Sequence, residues 1–82
     1  MSKLDLTTNT ILLDTKGLYC PEPVMMLHNA VRDVDDKMQI KVVATDPSTQ
    51  RDIPKFCQFL GHSLKSQSHV ADEFIYLIEV NK

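Results

Sequence analysis

The chain has 82 residues, a length that fits one domain over residues 1–82 and leaves little room for an enclosed active-site cavity. Hydrophobic residues make up 43% and charged residues 24%, a composition that argues against a disordered protein. The net charge of -2 argues against direct nucleic-acid binding, because gripping phosphates requires a basic patch.

The N-terminal residues 1–14 contain no long apolar run. We therefore expect neither a secretory signal nor a membrane span. The chain has two cysteines, and without a signal these favour a reducing compartment such as the cytoplasm, where thiols are catalytic, metal-binding or buried.

The first half of the chain predicts a strand, a loop, a helix and a second strand. Residues 11–13 predict the first strand, and Gly17 permits a tight path in the loop after it. Pro21 and Pro23 suit the first turn of a helix, where a missing N–H costs nothing. Its buried stripe is predicted from four apolar residues at helical spacing: Val24, Leu27, Val31 and Val34. Residues 35–37 form a polar turn, and residues 38–44 alternate as a second strand.

The second half predicts another helix and two more strands. The apolar face of this helix contains Ile53, Phe56, Cys57 and Leu60, and Gly61 is placed to end it. Proline disrupts a helix interior, so Pro54 implies either a helix that begins near Asp52 or an irregular first turn. Residues 63–68 predict a third strand and residues 74–80 a fourth, with the connecting turn within residues 70–73.

These elements follow one another in the order βαβαββ, which predicts an α+β fold. The simplest arrangement is a two-layer α/β sandwich with two helices on one face of a four-stranded mixed sheet. Right-handed crossovers place both helices on the same side when the strands that they join run parallel.

Cys20 is the candidate reactive residue. It ends a loop and precedes the predicted first helix, where free N–H groups and the positive end of the helix dipole favour a thiolate. We therefore expect its pKa to lie below that of a free thiol, with Glu22 opposing the shift through its negative charge. The alternative is a buried apolar cysteine, but Cys20 lies outside any apolar periodicity.

The other polar and thiol groups give less specific signals. Cys57 lies on the predicted apolar helix face and is expected to be buried and inert. The three histidines show no metal spacing and support neither a metal site nor a histidine-assisted cysteine hydrolase; they are His28, His62 and His69. Asp46, Arg51 and Asp52 precede the second helix. They are interpreted either as capping and solvated charge, or as a cluster in which Arg51 holds an anionic sulfur or a partner carboxylate.

Two segments resemble a known family. Residues 13–24, Leu-Asp-Thr-Lys-Gly-Leu-Tyr-Cys-Pro-Glu-Pro-Val, resemble the N-terminal signature of the TusA/SirA-like sulfur carriers. Asp46-Pro47, followed by residues 51–54 and Phe56-Cys57, resembles a second block typical of the TusA branch of that family. The order of predicted elements agrees with the family over residues 12–80.

The resemblance implies that Cys20 accepts sulfur as a persulfide from an IscS-like cysteine desulfurase. A TusBCD-like relay complex would then accept the sulfur, which ends as 2-thiouridine at the wobble position of tRNA. The supporting or partner-binding residues are expected to be Pro21, Glu22, Pro23, Arg51 and Asp52. The exchange of sulfur between thiols requires no metal or organic cofactor.

Two alternatives remain at this point. The first is a sulfur carrier that serves another pathway, such as sulfur oxidation or molybdenum-cofactor biosynthesis. The second is a regulatory module whose cysteine senses oxidants.

Overall fold

A computed structural model describes residues 10–82 as two helices and four strands in the predicted order βαβαββ. The elements are β1 (Thr10–Thr15), α1 (Glu22–Asp33), β2 (Gln39–Ala44), α2 (Thr49–Leu60), β3 (Ser63–Val70) and β4 (Glu73–Glu79).

The four strands form one mixed sheet in the order β1-β2-β4-β3. β1 runs parallel to β2, and β4 runs antiparallel to both of its neighbours. Helix α1 packs against β1 and β2, whereas α2 packs against β3 and β4, and the two helices contact each other. This is the predicted two-layer arrangement, with both helices over one face of the sheet.

The hydrophobic core lies between the helices and the sheet. The helices contribute Leu27, Val31, Ile53, Phe56 and Cys57, and the sheet and its C-terminal flank contribute Ile40, Val42, Phe74, Tyr76, Ile78 and Val80. Full burial of each large apolar side chain stabilises the fold by about 1.5–3 kcal/mol relative to exposure.

The buried face of α1 differs from the predicted stripe at its first turn. Pro23 is fully buried together with Leu27, and both lie in line with Val31 at steps of four residues. Val24 and Val34 are only partly buried against this core. Val24 is thereby left available to line a surface groove.

Helix α2 begins at Thr49, three residues earlier than the start near Asp52 that Pro54 suggested. Its entry is irregular, because the N–H groups of Thr49, Gln50 and Arg51 each donate to the carbonyl three residues back. Pro54 lies inside the helix, where it supplies no N–H to the carbonyl of Gln50. The helix ends as predicted at Gly61, whose φ of 82° lies in the left-handed region.

Strand β3 continues two residues beyond its predicted end. Val70 pairs with Glu73, so that Ala71 and Asp72 alone form the hairpin turn to β4. The strand is irregular between Leu64 and Ser66. Most of its side chains are exposed, so the strand lacks the alternation of apolar and polar residues from which its end could have been predicted.

Candidate functional site

The site lies where two parallel strands end side by side. Thr15, the last residue of β1, pairs with Ala44, the last residue of β2. The loops that follow these strands therefore leave the same edge of the sheet. They are joined by a hydrogen bond from the Gly17 N–H to Thr45 Oγ1 at 2.9 Å. The first loop leads to Cys20 and α1, and the second leads through Asp46 to α2.

Asp46 holds the loop that contains Cys20. Its Oδ2 accepts the backbone N–H of Cys20 at 2.7 Å and the hydroxyl of Ser48 at 2.7 Å, and its Oδ1 accepts the N–H of Ser48 at 3.1 Å. Asp46 is buried, and the hydrogen bonds from Ser48 and Cys20 lower the pKa of its carboxyl group.

Cys20 is exposed at the N-terminus of α1, as predicted, and Pro21 separates it from the first helical residue. Its Sγ lies 3.3 Å from Oδ2 of Asp52, in the first turn of α2, and donates a hydrogen bond to it. The other oxygen of this carboxylate, Oδ1, lies 3.1 Å from Nε of Arg51. The structure therefore joins Arg51, Asp52 and Cys20 in one chain of polar contacts.

The prediction that the helix terminus lowers the pKa of Cys20 is wrong. The pKa of Cys20 is raised, first by the hydrogen bond to Asp52 and then by partial desolvation and by the negative charge of Asp52. A hydrogen bond with Ser48 opposes the rise, and the charge of Asp46 adds to it. The two carboxylates lie in the loop after β2 and in α2. The sequence analysis grouped them with Arg51 in one polar cluster but predicted no hydrogen bond from either of them to Cys20.

The start of α1 also offers few N–H groups to an anionic sulfur. Pro21 and Pro23 carry none, and the N–H of Glu22 donates to the carbonyl of Tyr19 at 2.9 Å. The prolines that helped to predict the helix therefore remove donors on which the predicted pKa shift depended.

A surface groove of about 870 Å³ runs from Cys20 between α1 and α2. It is lined by Cys20, Pro21, Val24, Asp52, Lys55, Phe56, Gln58 and Phe59. Phe59 is 85% exposed and adds an apolar surface to the groove. The sequence analysis missed Phe59 and Lys55. The available signal was Phe59 itself, a large aromatic residue in α2 that lies outside the predicted apolar face of that helix.

The remaining expected site residues occupy different environments. Pro21 lines the groove, whereas Pro23 is buried and supports the site by packing the first turn of α1. Glu22 and Arg51 are exposed, and Asp52 is partly buried beside Cys20. The structure thus brings Pro21 and Asp52 to the groove at the thiol, places Arg51 against Asp52, and leaves Glu22 outside the groove lining.

Neither Cys57 nor any histidine is among the residues that line the groove at Cys20. Cys57 is buried, as predicted, and burial raises its pKa to about 11. His28 packs edge-on against Phe56, His62 Nδ1 accepts the N–H of Asn81, and His69 stacks on Phe74. Across residues 10–82, no three histidine, cysteine or acidic side chains come together as a potential metal site.

Comparison with known proteins assigns the family. The family model described as "Sulfurtransferase TusA" matches residues 11–80. The chain belongs to the TusA sulfurtransferase family. The match contains both segments on which the resemblance was based, including Cys20 and the run from Asp46 to Cys57.

Curated relatives are similar to most of the chain. The Sulfur carrier protein TusA of Pseudomonas aeruginosa (strain UCBPP-PA14) is 61% identical over 67 residues, which cover 82% of this chain and 85% of that protein. The Sulfur carrier protein TusA of Pseudomonas putida (strain GB-1) is 58% identical over 71 residues, which cover 87% of this chain and 89% of that protein.

A solved structure shares the fold. The crystal structure of a SirA-like protein from Desulfitobacterium hafniense matches with a TM-score of 0.76. The match covers 88% of this chain and 99% of that one, at 16% identity. This TusA-family chain therefore has the SirA-like arrangement of helices and strands. Neither α1 nor α2, the two helices within residues 10–82, has the length and apolar character that crossing a membrane requires.

Proposed function

We propose that the chain is a sulfur carrier that holds sulfur as a persulfide on Cys20. Membership of the TusA sulfurtransferase family supports a role in sulfur transfer. The observation that carries the assignment to one residue is the contrast between the thiols, since Cys20 is exposed at an accessible groove and Cys57 is buried.

The reaction is an exchange between thiols. The Cys20 thiolate attacks the outer sulfur of a donor persulfide, the bond between the two donor sulfurs breaks, and the donor leaves as a thiolate. Cys20 then carries the transferred sulfur until an acceptor thiolate attacks that outer sulfur in turn. One proton moves with each exchange from the attacking thiol to the departing one, so no oxidant, metal or organic cofactor is consumed.

The proposed donor is an IscS-like cysteine desulfurase, and the proposed acceptor is a TusBCD-like relay complex in the cytoplasm. A small domain with an open groove does not enclose Cys20, so a partner has to complete the site. The proposed end product is 2-thiouridine in tRNA. With a net charge of -2, the chain is expected to leave RNA binding to its partners.

A redox sensor is a poorer match to the family than a carrier. Both a sensor and a carrier react through the Cys20 thiolate, and membership of the TusA sulfurtransferase family supports sulfur transfer rather than sensing. The pathway is tested by measuring tRNA thiouridine in a strain that lacks the protein. Loss of 2-thiouridine supports the tRNA pathway. Unchanged 2-thiouridine, with normal loading of Cys20 by a desulfurase, assigns the carrier to sulfur oxidation, molybdenum-cofactor biosynthesis or another pathway.

A further inference from the structure

Negative charge surrounds the sulfur of Cys20. Asp52 Oδ2 lies 3.3 Å from Sγ, and Asp46 Oδ2 lies 2.7 Å from the backbone nitrogen of the same residue. The nearest cation in this contact chain, Arg51, lies against the other oxygen of Asp52 at 3.1 Å. Lys55 lines the groove, and Glu22 is exposed in the first turn of α1. The charged group in contact with the sulfur is therefore the Asp52 carboxylate, and the hydroxyl of Ser48 is a neutral hydrogen-bonding neighbour.

The protonation state of the sulfur determines whether its interaction with Asp52 is favourable. A protonated thiol donates a hydrogen bond to Asp52, as the structure shows. A persulfide is a stronger acid than a thiol and is ionised at neutral pH. Its anion has no proton to donate to Asp52, and its negative charge, on the sulfur one bond beyond Sγ, is repelled by the nearby carboxylate.

On the basis of the proposed carrier function, we infer that Asp52 drives the unloading of Cys20. By favouring the neutral thiol over the anionic persulfide, it shifts the equilibrium of sulfur exchange toward the acceptor. The carrier would thus release its sulfur readily rather than retain it. Asp52 acts through its contact with the reacting sulfur, and Arg51 positions the Asp52 carboxylate by binding its second oxygen.

The balanced step is as follows. The anionic persulfide of Cys20 takes up a proton from solvent, and the acceptor thiol releases one. The acceptor thiolate then attacks the outer sulfur of the neutral persulfide, forming a new sulfur–sulfur bond and breaking the bond to Cys20 Sγ. Cys20 leaves as a thiolate, takes a proton from solvent, and donates it in a hydrogen bond to Asp52. The acceptor persulfide, now away from the carboxylates, ionises and returns a proton to solvent. One thiol and one persulfide are consumed and one of each is formed.

The direct test uses the full chain without its partners. Wild type and Asp52→Asn are loaded on Cys20 with inorganic polysulfide, freed of excess reagent, and equilibrated with reduced glutathione at neutral pH. The fraction that retains the extra sulfur is measured by mass spectrometry. Cys57→Ser is present in every variant, so that only one thiol is scored. Asp72→Asn, in the exposed turn between β3 and β4, is the matched control for the loss of one negative charge.

We expect Asp52→Asn to retain severalfold more persulfide than wild type, and Asp72→Asn to match wild type. Without sulfur, Asp52→Asn should also be alkylated at neutral pH faster by a factor of roughly three or more, because a like charge within hydrogen-bonding distance suppresses the thiolate. The pH profile of alkylation should shift to lower pH in Asp52→Asn alone, which a purely structural role of Asp52 does not produce. Asp52→Ser provides the same test should the asparagine variant fail to fold.

Equal retention of persulfide by Asp52→Asn and Asp72→Asn, or lower retention by Asp52→Asn, would overturn the inference. This test is independent of the proposed function, because polysulfide loads an accessible thiol without any enzyme. If a desulfurase cannot load wild type, the carrier function is contradicted. The partition of sulfur between Cys20 and glutathione still decides the effect of Asp52.

Discussion

The backbone N–H of Cys20 donates a 2.7 Å hydrogen bond to the carboxylate of Asp46, which lies 26 residues further along the chain. This contact joins the loops that follow the parallel strands β1 and β2. Because Ser48 donates two further hydrogen bonds to the same carboxylate, Asp46 sets the position of Cys20 relative to the start of α2.

Replacing Asp46 by alanine should destabilise the fold. The substitution removes a buried acceptor of three hydrogen bonds, and hydrogen bonds to charged groups each contribute about 1.5–3 kcal/mol. Partial replacement by water leaves an expected loss of roughly 2–3 kcal/mol in the free energy of unfolding, measured in urea. Asp72→Ala, at an exposed turn, should change it by less than about 0.5 kcal/mol. A loss for Asp46→Ala as small as that of the control would contradict the anchoring role.

The contribution of Asp46 should depend on pH. Its pKa in the folded chain lies below its ordinary value, chiefly because of the hydrogen bonds from Ser48. A carboxylate with a lowered pKa stabilises the folded state fully above the unfolded pKa and loses this effect as the pH falls through the folded pKa. The difference in unfolding free energy between wild type and Asp46→Asn should therefore shrink between about pH 5 and pH 2. A difference that grows on acidification would show that the sign of the shift is wrong.

Thr49 and Tyr76 form a buried hydrogen-bonded pair, and removing the hydroxyl of one or of the other should lower the free energy of unfolding by different amounts. The two side-chain oxygens lie 2.9 Å apart, and Thr49 Oγ1 also donates to the carbonyl of Asp46 at 2.7 Å. A threonine hydroxyl has one hydrogen, so the phenol of Tyr76 is the donor in their shared hydrogen bond. Tyr76→Phe removes this donor cleanly and should cost about 1 kcal/mol of unfolding free energy.

Thr49→Val should cost more, about 2–3 kcal/mol, because it leaves the Tyr76 hydroxyl without a partner in the interior and removes one of the two hydrogen bonds to the Asp46 carbonyl, which keeps the backbone N–H of residue 49. Urea denaturation of the two single variants gives the comparison. Equal losses would contradict the assignment of donor and acceptor.

The sequence was sufficient to predict the order of elements and the layers. A run rich in β-branched and aromatic residues marked β4, and the terminal Gly61 marked the end of α2, because these signals are local. The helix entries were less predictable. Pro54 suggested either a late start of α2 or an irregular first turn, and the structure has the second. Burial of Thr49 and Ile53 holds both residues in the helix and offsets the cost of the proline.

The site was predictable only in part, because local sequence signals do not specify tertiary contacts. The local context of Cys20 correctly indicated an exposed thiol before a helix. The contacts that determine its protonation come from Asp46 and Asp52, which are 26 and 32 residues away in sequence. No periodicity or spacing specifies such contacts, so the direction of the pKa shift was predicted wrongly. The groove escaped prediction because it arises from the packing of α1 against α2.

Charge reversal at Arg51 should impair sulfur transfer more than folding. Its side chain is 66% exposed and contacts Asp52, so Arg51→Glu should change the unfolding free energy by less than about 1 kcal/mol. The rate of sulfur transfer from the desulfurase should fall severalfold, because the new carboxylate adds negative charge near the thiol and further suppresses the attacking thiolate. Arg32→Glu is the matched control, since Arg32 is 73% exposed and pairs with Asp33 at the far end of α1. Equal transfer rates in the two variants would show that Arg51 has no specific role in sulfur transfer.

The central claim is that Cys20 carries the sulfur, and the most direct measurement is the mass of the chain after incubation with a cysteine desulfurase and cysteine. Wild type and Cys57→Ser should each gain one sulfur atom, because the exposed thiol is intact in both. Cys20→Ser should fold and gain none, since a hydroxyl cannot form a persulfide and Cys57 is buried with a pKa of about 11. A sulfur adduct on Cys20→Ser, or its absence from both wild type and Cys57→Ser, would contradict the assignment.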